Sequence, residues 1–473
     1  MDYSNFLIMN HELSLIVVLI LTLLADLTAC GNKKCFQYFA IGLFTLHTFL
    51  GFFAWNIGEA ESFGGMFVTS EIHCFMKNIL NIGTLLIFLF GFEWNKEANK
   101  KSCGEFYFLT LATLFGMYLM ISAGDFLLFY IGLETASIPM ATLVAFNKKE
   151  NESAEAAAKY ILTAAFSSGV MLFGISLIYG TCGSLYFNEA MIGFNASPLQ
   201  IMAAIFFLAG LCFKISLVPF HLWTADTYQG APTAVTAYLS VISKGAAAFA
   251  LMSILIKVFA NYPEFWKEFF WWVIVITITV GNLFAIRQKN LKRFLAFSSI
   301  SQAGYLMLGV YAGTPQGMAS MVFYLFIYLF TNLAAFGVIS SIENKTGKLT
   351  MDDYNGLYDT NPKLAFVMML AMFSLGGIPV FAGFFSKFFI FAAAVNVGEV
   401  LLVFIALLNT IISLYYYLLV VKAMFIKKSD APIAYFKSDC MTRVGLLICT
   451  VCIIALGFFS PIYEYINGIS FGM

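Results

Sequence analysis

The sequence predicts an all-α, polytopic membrane protein with about fourteen transmembrane helices. Three observations carry that expectation. Of the 473 residues, 61% are hydrophobic and only 11% are charged, whereas soluble domains carry about 25% charged residues. Apolar runs of about 20 residues, the length needed to cross a bilayer, recur along the whole chain. The basic residues between these runs gather on one side. Such a composition excludes a soluble enzyme and a disordered scaffold. Lys+Arg equals Asp+Glu at 26 each, so there is no cationic excess for nucleic acid.

In chain order the spans are expected near 12–30, 35–56, 73–92, 105–122, 125–147, 155–180, 199–225, 232–260, 266–287, 292–313, 316–343, 362–396, 399–426 and 442–466. The first apolar run, Leu13 to Leu27, follows Asp2, His11 and Glu12. It lacks the positive leader of a cleaved signal and reads as a membrane span. Lysines and arginines mark cytoplasmic loops. Lys33 and Lys34, then Lys96, Lys100 and Lys101, then Lys148 and Lys149 follow the first, third and fifth spans. Arg287, Lys289, Lys292 and Arg293 follow the ninth. Lys345, Lys348 and Lys363 follow the eleventh, and Lys422, Lys427, Lys428, Lys437 and Arg443 the thirteenth. All these loops lie on one side of a fourteen-span count. The other side shows Glu59, Glu61, Glu71, Glu189, Glu264, Glu268 and Glu399 against Lys257 and Lys267 alone. A miscounted span would scramble this parity, so both termini are expected outside the cytoplasm.

Nine cysteines are scattered, and Cys449-x-x-Cys452 sits in an apolar run with no second pair. Zinc and iron–sulfur sites need about four converging ligands. The cysteines therefore read as small apolar side chains, with no metal. Nor does the chain carry a Gly-rich phosphate loop or a nucleotide fingerprint, so no cofactor is expected on it.

Removing the loop charges leaves a short list inside the membrane. Lys77, Lys159, Lys214, Lys244, Lys387 and Glu134 fall within spans, and Asp26, Asp125 and Asp226 near span ends. A charge at mid-helix costs about 2.5–3.5 kcal/mol on insertion scales, so its presence points to function. At about 1.5 Å per residue, Glu134 lies about 14 Å into its span and Lys244 about 18 Å. Lys214 is also deep. Lys77 and Lys159 sit near span ends, where a lysine can snorkel to the interface. For the deep groups the alternative is a structural ion pair, yet lysines outnumber deep carboxylates. A buried lysine near a carboxylate can gain or lose a proton as their separation changes, and several in a row form a relay.

Two spans are interrupted. Pro219 breaks Lys214-Ile-Ser-Leu-Val-Pro219-Phe-His221, and Gly376-Gly377-Ile378-Pro379 breaks the long run before Lys387. Proline removes a helical hydrogen bond, and transporters place ion sites at broken helices. A simple kink is the alternative. The breaks fall in the seventh and twelfth spans, an odd offset that inverts the second copy. The chain is thus expected to comprise three N-terminal spans (1–104), a first five-helix repeat of spans four to eight (105–260), its inverted copy of spans nine to thirteen (266–426) and a last span (442–466).

The run Lys214-Ile-Ser-Leu-Val-Pro219-Phe-His221-Leu-Trp223-Thr-Ala-Asp226-Thr-Tyr228-Gln-Gly230-Ala231-Pro232-Thr233 resembles a signature of the antiporter-like subunits of proton-pumping NADH–quinone oxidoreductase, respiratory complex I. So do Gly281-Asn282 with Lys292-Arg293 and Ser298-Ser299-Ile300, and Gly377-Ile378-Pro379 with Ala382-Gly383-Phe384 and Lys387. The resemblance covers about 105–425. It is most like the N-type branch: Glu155-Ala156-Ala157-Ala158-Lys159-Tyr160 matches it, Lys387 stands where M-type members have Glu, and no long lateral helix follows as in L-type members.

By resemblance, Glu134 is the fifth-span carboxylate, Lys214 its seventh-span partner, Lys244 the central lysine and Lys387 the exit-side lysine of a proton relay. Lys159, His221, Asp226 and Gln302 are accessory, with His221 linking the halves. Gln302 stands where many relatives have His and cannot titrate, which puts a protonatable step there in doubt. The implied function is proton translocation coupled to NADH oxidation and quinone reduction, with FMN, iron–sulfur clusters and quinone on partner subunits. Those partners are an M-type subunit and the small K, J and A types, in a bacterial inner membrane with both termini periplasmic. The rivals are a subunit of a multi-subunit cation/proton antiporter and one of a membrane-bound hydrogenase.

Overall fold

In a bilayer no water satisfies the backbone, so helices that close their own hydrogen bonds are the natural spanning element. The computed structural model describes residues 4–28, 33–53, 58–97, 102–429, 431–459 and 461–470. Asp2, Cys30, Lys100, Lys101 and the side chain of Lys96 lie outside the described residues. The chain opens with α1 (Ser4–Ile8), α2 (Asn10–Thr28) and α3 (Lys33–Phe53), then a short antiparallel hairpin of β1 (Ala60–Ser62) and β2 (Phe67–Thr69). There follow α4 (Glu71–Glu97), α5 (Cys103–Ile121), α6 (Phe126–Val144), α7 (Asn151–Cys182) and the short α8 (Phe187–Gly193). Next come α9 (Pro198–Ile215), α10 (Leu222–Gly230), α11 (Thr233–Tyr238) and α12 (Lys244–Lys257), the last two joined by a π-helical turn over Leu239–Ser243. The second half has α13 (Pro263–Ile286), α14 (Leu291–Ala312), α15 (Pro315–Thr346), the single turn α16 (Leu357–Thr360), α17 (Pro362–Gly376), α18 (Ala382–Asn396) and α19 (Val400–Phe425). It closes with α20 (Cys440–Ala455) and α21 (Pro461–Ile469).

Twelve of the described helical stretches are long and apolar enough to cross a membrane, with the shorter apolar α17, α18 and α20 beside them. Among the described residues, each range expected as a span contains helix. Local chemistry sets the starts. Asp125 caps α6 by accepting from the Leu128 N–H, and Asn290 caps α14 by accepting from the Lys292 and Arg293 N–H groups, which satisfies donors a helix start leaves open. Ser197 and Gln200 form a capping box ahead of Pro198 on α9.

Exposure divides the helices. α11, α12, α14 and α15 are almost wholly buried and form the centre. Outer helices turn large apolar side chains outward: Leu162, Phe166 and Phe173 on α7, Trp272 on α13, Phe404 and Ile411 on α19. Such surfaces suit lipid contact. The central helices are also those that carry Lys244, Ser299 and Gln302.

Several expectations need correction. His11 and Glu12, just ahead of the apolar run Leu13 to Leu27, lie in the first turn of α2 and are buried rather than exposed at its end. Lys77 does not snorkel, because its Nζ lies 2.6 Å from Glu12 Oε1 and both side chains are 1% exposed. The run 442–466 is two helices rather than one. Proline cannot continue a helix, and Pro461 opens α21 after α20 has ended at Ala455. The β1–β2 hairpin departs from a purely helical chain.

Candidate functional site

The two interrupted spans end in the same backbone geometry. α9 stops at Ile215, and Ser216 takes a left-handed conformation with φ 68°. Its N–H donates to the Phe213 carbonyl and that of Leu217 to the Cys212 carbonyl. α17 stops at Gly376, and Gly377 has φ 78°. Its N–H donates to the Ser374 carbonyl and that of Ile378 to the Phe373 carbonyl. Both are Schellman endings, and proline at 219 and 379 follows each. The backbone freed at the first break is caught across the bundle: Val218 N–H donates to Thr277 Oγ1 of α13 at 3.0 Å. Gly377 is needed both for its positive φ and for room. A Cβ there would lie 3.1 Å from Lys387 Cδ.

A helix C-terminus presents open carbonyls and partial negative charge, which suits a cation. Lys387 uses one directly, whereas Lys214 only sits beside one. Lys214 lies in the last turn of α9. Its Nζ donates to Ser137 Oγ at 2.8 Å and to the Tyr160 hydroxyl at 3.4 Å. Lys387 Nζ donates to the Leu375 carbonyl, in the last turn of α17, at 2.8 Å. Lys244 opens α12 directly after the π-helical turn, a local deformation common at functional sites. Its Nζ donates to Ser299 Oγ of α14 at 2.6 Å and lies 5.4 Å from the centre of the Tyr228 ring. All three lysines are at most 5% exposed.

The expected Glu134–Lys214 ion pair is absent among the described residues. Glu134 is half-buried, and its Oε1 is buried with no hydrogen-bond partner. Ser137, one turn along the same helix, takes the lysine instead.

Gln302 joins the central lysine to the last one. It lines two small cavities of about 10 Å³ each, one shared with Lys244 and Ser299, the other with Lys387 and Ser386. Each has room for about one water molecule. Gln302 Nε2 donates to the Tyr417 hydroxyl at 2.9 Å and to the Leu375 carbonyl at 3.3 Å, the same carbonyl that holds Lys387. Its Oε1 accepts from the Tyr324 hydroxyl. Tyr417 also bonds Ser298, the neighbour of Ser299, at 2.6 Å.

Lys159 and Asp226 come together at the lysine-rich end. Lys159 lies 2.6 Å from Glu155 and 2.8 Å from Asp226, and Arg293 Nη1 donates to Asp226 at 2.6 Å. Lys159 is 44% exposed, so it reaches the surface as expected, but as a paired group. Asp226 lies beyond the long apolar helices. Partial burial pushes its carboxyl up, but bonds from Lys159 and Arg293 outweigh this and hold it below the usual carboxylate range. His221 occupies the position before α10 without a side-chain capping bond, and its Nδ1 is buried without a hydrogen-bond partner. Among the described residues it bonds none of the three deep lysines.

Sequence reasoning did not assign roles to Ser137, Ser299, Tyr417, Tyr324 or the Leu375 carbonyl. Only Ser299 lay in a quoted motif with an evident signal. The others are neutral groups, costly when buried unpaired but silent in a charge count.

Residues 123–413 match the family described as NADH:quinone oxidoreductase/Mrp antiporter, TM. The chain is 57% identical to NADH-quinone oxidoreductase subunit N of Phocaeicola vulgatus over 99% of both chains. It is 55% identical to the subunit of that name from Azobacteroides pseudotrichonymphae, over 100% of this chain and 99% of the relative. A chain of respiratory complex I from Thermus thermophilus superposes with TM-score 0.80 at 31% identity, covering 95% of this chain and 97% of that one. A chain of the Mrp complex from Dietzia shares the fold, with TM-score 0.87 at 20% identity over 99% and 97%. The chain belongs to the NADH:quinone oxidoreductase/Mrp antiporter transmembrane family.

Proposed function

We propose that this chain is the N-type, proton-translocating subunit in the membrane arm of a bacterial NADH–quinone oxidoreductase. FMN, iron–sulfur clusters and quinone belong to partner subunits. The M-type and small K, J and A-type subunits are its neighbours. It lies in the inner membrane with both termini periplasmic and the lysine-rich loops cytoplasmic. In this reading residues 105–260 and 266–426 are inverted five-helix repeats, preceded by three spans and followed by one. The matching Schellman endings of α9 and α17 favour that arrangement.

The observation that carries the proposal is the set of three buried lysines, Lys214, Lys244 and Lys387, each held by neutral groups, with Gln302 between the last two. A carboxylate moving toward or away from a buried amine changes its proton affinity. With no direct Glu134–Lys214 ion pair among the described residues and Lys214 held by neutral hydroxyls, the geometry is consistent with a separated pair. A proton then passes from Lys214 to Lys244, crosses the two cavities by way of water and Gln302, and leaves from Lys387. Lys159, Asp226 and Arg293 gather charge at the uptake end, and His221 supports the link between halves.

The test is a mild-detergent pulldown of the tagged chain, followed by proton uptake in liposomes. Co-eluting flavin and iron–sulfur absorbance, with pumping that Lys244→Met abolishes at equal assembly, is the expected result. Wild-type pumping in that variant would sink the relay. Because the matched family also names the Mrp antiporter, cation/proton exchange is the second reading. Colourless membrane partners alone in the pulldown would favour it.

A further inference from the structure

Three of the four histidines in the chain, His11, His47 and His73, lie in the N-terminal spans and far from the lysine relay in sequence. They surround the buried Glu12–Lys77 pair. Lys77 stands about 9 Å along α4 from its start, by helical rise. Its Nζ lies 5.3 Å from the centre of the Phe67 ring and 5.6 Å from that of Tyr118. Glu12 Oε1 is 2.6 Å from that Nζ but has no aligned hydrogen-bond donor, so the contact is one of charge. Below the pair, the Tyr118 hydroxyl donates to Asn81 Oδ1 at 2.6 Å and lies 3.3 Å from His47 Nε2. Ser14 Oγ lies 3.1 Å from His47 Nδ1.

Above the pair lies an opening. His73, one turn before Lys77 and hydrogen-bonded to Ser70, lines a cavity of about 370 Å³ together with Glu59, Glu61 and Lys257. These groups come from the face opposite the lysine-rich loops. Stability alone does not account for such a cluster. Replacing a buried ion pair by apolar side chains is often neutral or stabilising.

We propose that Glu12 and Lys77 form a second proton-binding site, loaded from the acidic face through the cavity at His73. The inference rests on the proton-translocating reading above, but it uses none of the relay residues. Uptake adds one proton from cavity water to the Glu12 carboxylate and leaves the Lys77 ammonium unpaired. Release returns that proton to the cavity and restores the ion pair. His11 on α2, His47 on α3, His73 on α4 and Tyr118 on α5 face the pair, with Glu59, Glu61 and Lys257 at the mouth.

The test uses the assembled complex. Infrared difference spectra are taken across a pH step between about pH 5 and about pH 9, which brackets carboxyl and histidine titration. A carboxylic C=O band that disappears in Glu12→Gln and persists in Lys244→Met is expected. Proton/NADH ratios should fall in Glu12→Gln and in Lys77→Met. Absence of any Glu12-dependent band overturns the proposal. So does a Glu12→Leu/Lys77→Leu double variant that pumps with the wild-type ratio and pH profile. If Glu12→Gln does not assemble, carbodiimide labelling of Glu12 in the wild-type complex, read by mass spectrometry, decides. Labelling that grows as pH falls supports the site, and none at any pH refutes it. Failure of the relay reading would appear separately, as wild-type pumping in Lys244→Met.

Discussion

Gln302→Leu is the sharpest perturbation of the line between Lys244 and Lys387. Leucine keeps the volume nearly constant but removes the amide that faces both cavities. The Leu375 carbonyl keeps Lys387, and Tyr417 keeps Ser298. The buried Tyr324 hydroxyl loses its acceptor. That orphan costs about 1–3 kcal/mol of stability. The two donated bonds of Gln302 are worth about 0.5–1.5 kcal/mol each, so a relay that depends on them loses roughly 1–3 kcal/mol at this step. That corresponds to proton transfer slowed about 5- to 150-fold. The assay is initial proton uptake by reconstituted complex, normalised to assembled protein. Gln302→His, which retains donor and acceptor and adds a titratable ring, should pump at or above the wild-type rate. Gln302→Leu pumping at the wild-type rate and ratio would refute the assignment of Gln302 to the path.

Further outcomes follow from other contacts. Gly377→Ala places a Cβ 3.1 Å from Lys387 Cδ at φ 78°; left-handed backbone costs about 1–2 kcal/mol for a non-glycine residue. A lower unfolding temperature and slower pumping are expected, and an unchanged thermal melt would contradict the close approach. Thr277→Val strips the acceptor from the Val218 N–H and should destabilise the complex by about 1–3 kcal/mol, read by detergent-solubilised melting. Asp226 is held below the usual carboxylate range although partial burial pushes it up, because Lys159 and Arg293 pair with it. A depressed folded value adds stability above about pH 4 and loses it as pH falls through that value. Asp226→Asn should therefore lower stability at neutral pH and flatten its acid loss, and identical acid titrations of both forms would refute the pairing.

Composition alone settles the class of the protein, because 61% hydrophobic content requires a lipid environment. The sequence also located Lys214, Lys244, Lys387 and Glu134, since a charge inside an apolar run is visible without coordinates. Pro219 and Gly377-Ile378-Pro379 marked the broken helices, because proline and glycine act locally. Which groups meet depends on how the helices pack. Lys214 turns to Ser137 and Tyr160 rather than Glu134, and Gln302 shares the Leu375 carbonyl with Lys387. Glu12, read as a flanking residue, proved to be the buried partner of Lys77, 65 positions away. Hydrophobic periodicity fixes that a helix is buried but not its neighbour, and neutral hydroxyls and backbone carbonyls acquire meaning only where packing brings a charge against them.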